Sequence, residues 1–386
     1  MVMMTGRRVL AAAGVALLLT ACGTSAASAS ATGAARQNLR TALRNLVGAP
    51  GGPPGAIAVV QRGGTTSVIT VGTGVVGSAT PPQATDHIRI ASVSKAFSGA
   101  AALALVAQGK LSLDDTIGQV LPTLPKAWAA VTVAELLHHT SGVPDFSASP
   151  AFQKAVSASL QTAPPPAQLL SYVADDPLEF PPGSRYEYSN SDNVVIGLMI
   201  QAATGVGYDS LLQQDVYQPL GLTQTSLPAS ATMPVPFMHG YAPEPGTNPE
   251  DASEVLAAGW AWAAGGIVST PAEANRFVRG YVRGATTNAA TRAKQFQFIN
   301  GATSEPPGPG ANAAGLAIFR YRTSCGTVYG HTGNTFGYTQ FVAASANGAD
   351  SVSLTVSAQI SPSTNKALFP SLRHAFGLAV CAALVR

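Results

Sequence analysis

Apolar positions fall into two regimes along this chain. Leu39, Leu43, Leu46 and Val47 recur at helical spacing, which predicts a helix over 38–47. Gly55–Gln61 and Ser67–Val71 are β-rich runs split by Gly63-Gly64, the pattern of a hairpin. A helix is predicted to open around Ser92, run to about Gln108 and stop at Gly109. Leu113-Asp114-Asp115 reads as loop. Thr132, with Glu135 three residues on, forms a cap pair that starts the next helix. That helix runs into His138-His139-Thr140-Ser141-Gly142, where the chain must turn. Asn193–Ala203, Tyr208–Tyr217 and Ala272–Arg283 are further helical segments, and residues 227–254 are Pro-rich and irregular. Beyond them Gly315–Tyr321, Val328–Gly330, Tyr338–Ala344 and Ser351–Ser357 are strand-like, and Asn365–Val385 is an amphipathic helix. Strands at both ends and helices between them predict an α/β sheet domain built from both termini. Its sheet part is expected over about 37–85 and 255–386, with a mostly helical insertion over about 86–254.

Residues 1–22 stand apart from this pattern. Arg7-Arg8 precedes the apolar run Val9–Leu19, and Leu19-Thr20-Ala21-Cys22 fits a lipobox. The expectation is a cleaved signal, a lipid on Cys22 and an exported, envelope-anchored protein; the alternative is a plain secretory signal that releases the protein. Gly23 to about Arg36 is rich in Ala, Ser, Thr and Gly without apolar periodicity, so a flexible tether is expected there. The folded domain is expected over 37–386.

Composition narrows the partners. Of the 386 residues 46% are hydrophobic and only 11% charged, so a large core is available. The net charge of +3 falls to +1 once the two arginines of the signal are removed. No long basic run is present, which argues against nucleic acid. With Cys22 lipidated, Cys325 and Cys381 remain, an even number in an oxidising compartment. A disulfide is the economical reading, and two buried thiols the alternative.

Ser92 and Lys95 stand three apart at a predicted helix start, so their side chains share a face. A serine hydroxyl needs a base, and a lysine whose pKa is lowered by burial can serve. Free N–H groups at the helix start can stabilise an oxyanion. Ser363-x-x-Lys366 fits the same spacing; with Pro362 beside it, it reads as a capped helix start. His138-His139 matches no common metal spacing, so no metal is expected, and no cofactor.

Three motifs stand in order: Ser92-x-x-Lys95, Tyr188-Ser189-Asn190 and His331-Thr332-Gly333. This order resembles the penicillin-recognising serine hydrolases. The Tyr-x-Asn form is similar to that of class C β-lactamases, secreted serine D-alanyl-D-alanine carboxypeptidases and related esterases. Leu136–Gly142, Pro219-Leu220-Gly221-Leu222, Ala264–Thr270, and Cys325 just before His331 fit the same group. The resemblance spans about 37–386 and is nearest to the carboxypeptidases. It implies an antiparallel sheet flanked by helices with a helical subdomain, and an acyl-enzyme on Ser92. Lys95 would take the proton, directly or through Tyr188, and His331 would keep the site electropositive. Asn190, Thr332, Asn334 and Trp260 would contact substrate, with the N–H groups of Ser92 and Asn334 as oxyanion hole. Arg320, or Arg322 beside it, would meet a substrate carboxylate. The implied substrate is a peptidoglycan stem peptide, with an ester or a β-lactam as alternatives. A non-catalytic envelope-binding lipoprotein is the reading from a different class.

Overall fold

In the computed structural model, which describes residues 20–385 and the side chains of 31–385, the two ends of the chain meet in one sheet. Helix α1 (Thr20–Val47) leads into the hairpin β1 (Gly55–Arg62) and β2 (Thr65–Gly72). Helices α2 (Ser94–Ala107), α3 (Val133–His138), α4 (Asn190–Thr204) and α5 (Pro271–Arg283) follow, with shorter helical turns between them. Then come β3 (Ile299–Asn300), β4 (Ala311–Gly315), β5 (Ile318–Thr323), β6 (Gly326–Thr335), β7 (Tyr338–Ala344) and β8 (Ser351–Val356), and helix α6 (Phe369–Leu384). The strands form one eight-stranded antiparallel sheet in the order β2-β1-β8-β7-β6-β5-β4-β3. The late strands make a meander, and β8 closes it against β1, with Val59 opposite Ser353.

Both faces of the sheet are covered, which is why β7 and β8 are buried at every position. Alternation along β7 sorts the side chains. Phe341 and Ala343 face the layer of α1 and α6, where Leu39, Leu43, Leu46, Leu372 and Phe376 are buried. Tyr338, Val342 and Ala344 face the helical region, packed with Phe97, Trp128, Val194 and Phe277. Phe97 of α2 stacks on Phe277 of α5 with ring centroids 3.5 Å apart, so the helix that follows Ser92 is fixed against the sheet side of the core.

Three expectations change. Residues 23–36, expected as a flexible tether, run as part of α1. From Ala35 onward this helix buries one stripe against its neighbours. The start expected at Ser363 is absent, and α6 begins at Phe369 with Lys366 exposed. Strand β4 was not expected at all, since Ala311-Asn312-Ala313-Ala314 carries little β-propensity. Most of the expected signal segment, residues 1–19, and the side chain of Cys22 lie outside the described residues.

Candidate active site

Ser92 sits on a tight turn (Ala91–Val93) that leads directly into α2. The residue before it, Ala91, has φ +49°, a left-handed conformation unusual for alanine, which turns the chain sharply ahead of Ser92. Strand β6 runs hard against this turn. A Cβ added to Gly333 would lie 2.4 Å from Ile90 O and 3.2 Å from Ser92 N, so only glycine lets the strand approach there. The approach brings Asn334 to the cavity that Ser92 opens into, which holds about 490 Å³.

Lys95 lies on the first turn of α2 and is fully buried. Its Nζ is 3.3 Å from Ser92 Oγ and 2.7 Å from both Asn190 Oδ1 and Ala264 O. Burial lowers its pKa to about 7, against the carboxyl groups of Asp145, Glu305 and Asp192. A neutral amine has two N–H groups and one lone pair. The two short bonds take the N–H groups, which leaves the lone pair for the Ser92 hydroxyl. The arrangement therefore suits Lys95 as the proton acceptor.

Asn190, the first residue of α4, is held as firmly as it holds. Its Nδ2 donates to Asp145 Oδ2 (3.0 Å) and Ser147 Oγ (2.9 Å). Both donors are used within the protein, so Asn190 positions Lys95 and has no N–H left for the substrate contact expected of it. Tyr188 faces the cavity next to Ser92, and Lys95 Nζ lies 4.9 Å from its ring centroid. The buried phenol oxygen makes no well-formed hydrogen bond among the described residues, and the Ser92 hydroxyl is the polar group beside it. Burial raises its pKa well above the ordinary value, with the Ser92 hydroxyl opposing. Tyr188 is therefore a neutral phenol, placed to pass a proton and not to hold a charge.

Behind Tyr188 lies a buried polar pair. His139 packs its ring 4.6 Å from that of Tyr188 and bonds Asp192 Oδ2 through Nδ1 at 2.8 Å. Ser141 donates to the other carboxyl oxygen at 2.5 Å. Burial drives the His139 pKa down to about 3 and that of Asp192 up, which favours an uncharged pair. The left-handed turn at His139 (φ 56°) ends α3 and carries the side chain inward.

Three expected site residues are placed differently. His331 is completely buried on β6, edge-on to Phe319, and does not line the cavity. Burial lowers its pKa to about 3, so it is neutral and cannot make the site electropositive. Thr332 is also buried away from the cavity. Its hydroxyl meets Ser304 Oγ at 2.7 Å and Pro306 O at 2.6 Å. Arg320 bonds Asn300 Oδ1 and covers the Phe298 ring, and neither it nor Arg322 reaches the cavity. No arginine or lysine lines that wall among the described residues.

Trp260 does line it, with Nε1 bonded to Ser159 O and an edge contact to Phe152. The residues the sequence left unmarked are Phe146, Phe152 and Glu305 on the wall, and Asp145 behind Asn190. Cys325 and Cys381 form a disulfide with Cα atoms 5.1 Å apart, tying the β5–β6 turn to α6. Among the described residues no group of His, Cys, Asp and Glu is arranged to hold a metal ion.

The chain matches the family profile described as Beta-lactamase over residues 39–367. A protein of Escherichia coli (strain K12) named "Putative D-alanyl-D-alanine carboxypeptidase" is 31% identical over 148 residues. That match spans 36% of this chain and only 32% of the relative's length. Among solved structures, a D-stereospecific amidohydrolase from a Streptomyces species is 25% identical with a TM-score of 0.75, over 88% of this chain and 97% of the other. The D-amino acid amidase of Ochrobactrum anthropi SV3, complexed with L-phenylalanine amide, is 23% identical with a TM-score of 0.78, covering 90% and 98%. A penicillin binding protein from Bacillus halodurans, 20% identical, shares the fold at a TM-score of 0.67 over 82% and 96%.

Proposed function

The chain belongs to the Beta-lactamase family of serine hydrolases, and from that premise we propose that it hydrolyses small amide or peptide substrates through an acyl-enzyme on Ser92. The observation that carries this reading is the Lys95 amine, 3.3 Å from Ser92 Oγ, with its pKa lowered to about 7 and Asn190 Oδ1 and Ala264 O placed to accept two N–H groups. In acylation Ser92 Oγ bonds to the carbonyl carbon as its proton passes to Lys95. The carbonyl oxygen becomes an oxyanion beside the Ser92 and Asn334 backbone. Collapse breaks the C–N bond, and the leaving nitrogen takes a proton from Lys95, relayed by the Tyr188 phenol. Water then attacks the ester by the same route in reverse and releases the acid and Ser92.

Relatives named for D-alanyl-D-alanine carboxypeptidase keep that activity in view as the finer expectation. The likeness to a D-stereospecific amidohydrolase supports amide hydrolysis more broadly. A carboxypeptidase site needs a cation for the substrate's terminal carboxylate, and the cavity wall offers none among the described residues. We therefore favour an amidase or peptidase that does not depend on such a carboxylate. Intact-mass spectrometry after exposure to an activated ester or a fluorescent penicillin tests the acyl-enzyme. One adduct on the native protein and none on Ser92→Ala is expected; an adduct that survives the substitution refutes the assignment. Export and anchoring through a lipid on Cys22 are proposed from Leu19–Cys22 alone. Loss from the membrane fraction in Cys22→Ala is the expected result, and retention there would count against the anchor.

A further inference from the structure

Among the described residues that line the cavity, Glu305 is the one acid or base apart from the Tyr188 phenol. Its carboxylate has no hydrogen bond or ion pair among the described residues. Asp145, the other acid nearby, is committed: its Oδ1 accepts from Ser147 N and Oγ, and its Oδ2 accepts from Asn190. Glu305 is thus the acid in this region with free lone pairs.

The segment that carries it is not a loose loop. Ser304, just before it, bonds the Thr332 hydroxyl at 2.7 Å and Tyr321 at 3.2 Å, and Pro306 O accepts from Thr332 at 2.6 Å. Thr332 stands on β6, one residue before Gly333, which touches the Ser92 turn. The backbone that carries Glu305 is therefore tied on both sides of that residue to the strand that meets the Ser92 turn. Phe146, Phe152, Leu256 and Trp260 give the same wall an apolar, largely aromatic stretch.

We propose that Glu305 is a specificity residue that binds the free ammonium of an unblocked amino-acid amide, ester or peptide N-terminus whose apolar side chain lies on the aromatic wall. This deepens the Ser92 acyl-enzyme reading and rests on it. A carboxylate on the wall attracts an ammonium and repels a carboxylate, and a charge-assisted bond to it is the strong kind. The acyl group transferred to Ser92 would then carry the amino group, as in an aminopeptidase or amino-acid amidase. A donor presenting a free carboxylate beside Glu305 is disfavoured.

The test measures kcat/KM for phenylalanine p-nitroanilide, both enantiomers, unblocked and N-acetylated, on the native protein and Glu305→Gln. The native protein is expected to favour the unblocked form of at least one enantiomer by about tenfold or more, the range of a hydrogen bond to a charged group. In Glu305→Gln that unblocked-to-acetylated ratio should fall about tenfold, chiefly through KM. Equal or better turnover of the acetylated substrate by the native protein overturns the proposal, as does an unchanged ratio in the variant. Acylation by p-nitrophenyl acetate, which carries no charge, separates the two levels. If it labels Ser92 while the ammonium preference is missing, the proposal alone falls. If it fails to label Ser92, the acyl-enzyme reading falls and the proposal with it.

Discussion

Asp145 offers the sharpest test of Lys95 as base. Its carboxylate is the largest influence holding the buried amine up towards the charged form, with Glu305 next. With a pKa of about 7, about half of the native protein has a neutral Lys95 at pH 7; at the ordinary 10.5 the fraction would be about 3 in 10,000. Burial therefore supplies roughly a thousandfold more of the reactive form. Removing the Asp145 charge in Asp145→Asn must lower the amine's pKa further. A single nearby charge moves a pKa by about one unit. At pH 5.5 the neutral fraction would then rise from about 3% to about 24%, roughly eightfold. The weaker base would react about threefold more slowly when fully neutral, for a Brønsted slope near one half. The two pH profiles should therefore cross: Asp145→Asn faster below about pH 6 and slower above about pH 8. Acylation by p-nitrophenyl acetate from about pH 5 to 10 reads this directly, because the ester does not titrate. Asparagine keeps an oxygen for Ser147, and Asn190 keeps its bond to Ser147 Oγ. Glu305→Gln, which removes no hydrogen bond, should move the acid limb in the same direction by less. If both variants leave the limb in place, or move it up, Lys95 is not the group that titrates.

His331→Gln should lower neither the acid limb nor the basic limb of that profile, since the imidazole is neutral throughout the working range. Its effect belongs to stability. The folded pKa of about 3 lies below the ordinary 6.5, so a buried neutral His331 contributes stability above pH 6.5 that is lost as the pH falls towards 3. The melting-temperature gap between the native protein and His331→Gln should therefore narrow from pH 7 to pH 4, and a constant gap would refute the buried-neutral assignment. Replacing Cys325 and Cys381 together by serine should cost about 2–4 kcal/mol in urea unfolding, for a bond that spans 56 residues. A loss below about 0.5 kcal/mol would mean the β5–β6 turn is held by packing alone.

What the sequence made legible was chemistry written locally. Ser92 and Lys95 are one helical turn apart, and Tyr188 and Asn190 flank a helix start. In each case backbone geometry alone fixes the pair, and the structure then brings the two pairs together. The Thr132–Glu135 cap pair was readable for the same reason and forms as expected. Charge state was not legible, because it is set by burial, and burial is a property of the assembled fold. His331 has the residue type of a cation, but between Phe319 and the sheet it has no water to support one. Thr332 and Arg320 failed differently. Both stand on strands whose register decides which side faces the cavity, and a one-residue uncertainty reverses that answer.

Glu305 is illegible in the sequence for a related reason. A single glutamate before Pro306-Pro307 has no spacing, no period and no partner in sequence. Its position comes from the backbone tied to Thr332, a residue whose place in the third motif implies a substrate contact. The buried hydroxyl is engaged with Ser304 and Pro306, so it meets the cavity only through the backbone it fixes on either side of Glu305. The third motif thus contributes a framework: Gly333 lets the strand reach the Ser92 turn, and Thr332 fixes the neighbouring wall. With His331 neutral and both arginines elsewhere, the field at Ser92 is set by one titrating amine and the acids around it. Those acids keep Lys95 from falling far below neutrality, where it would be too weak a base. By the same charge they make the cavity unfavourable for anions. Tuning of the base and selection of the substrate are then two consequences of one electrostatic arrangement, and a substitution that alters either is expected to alter both.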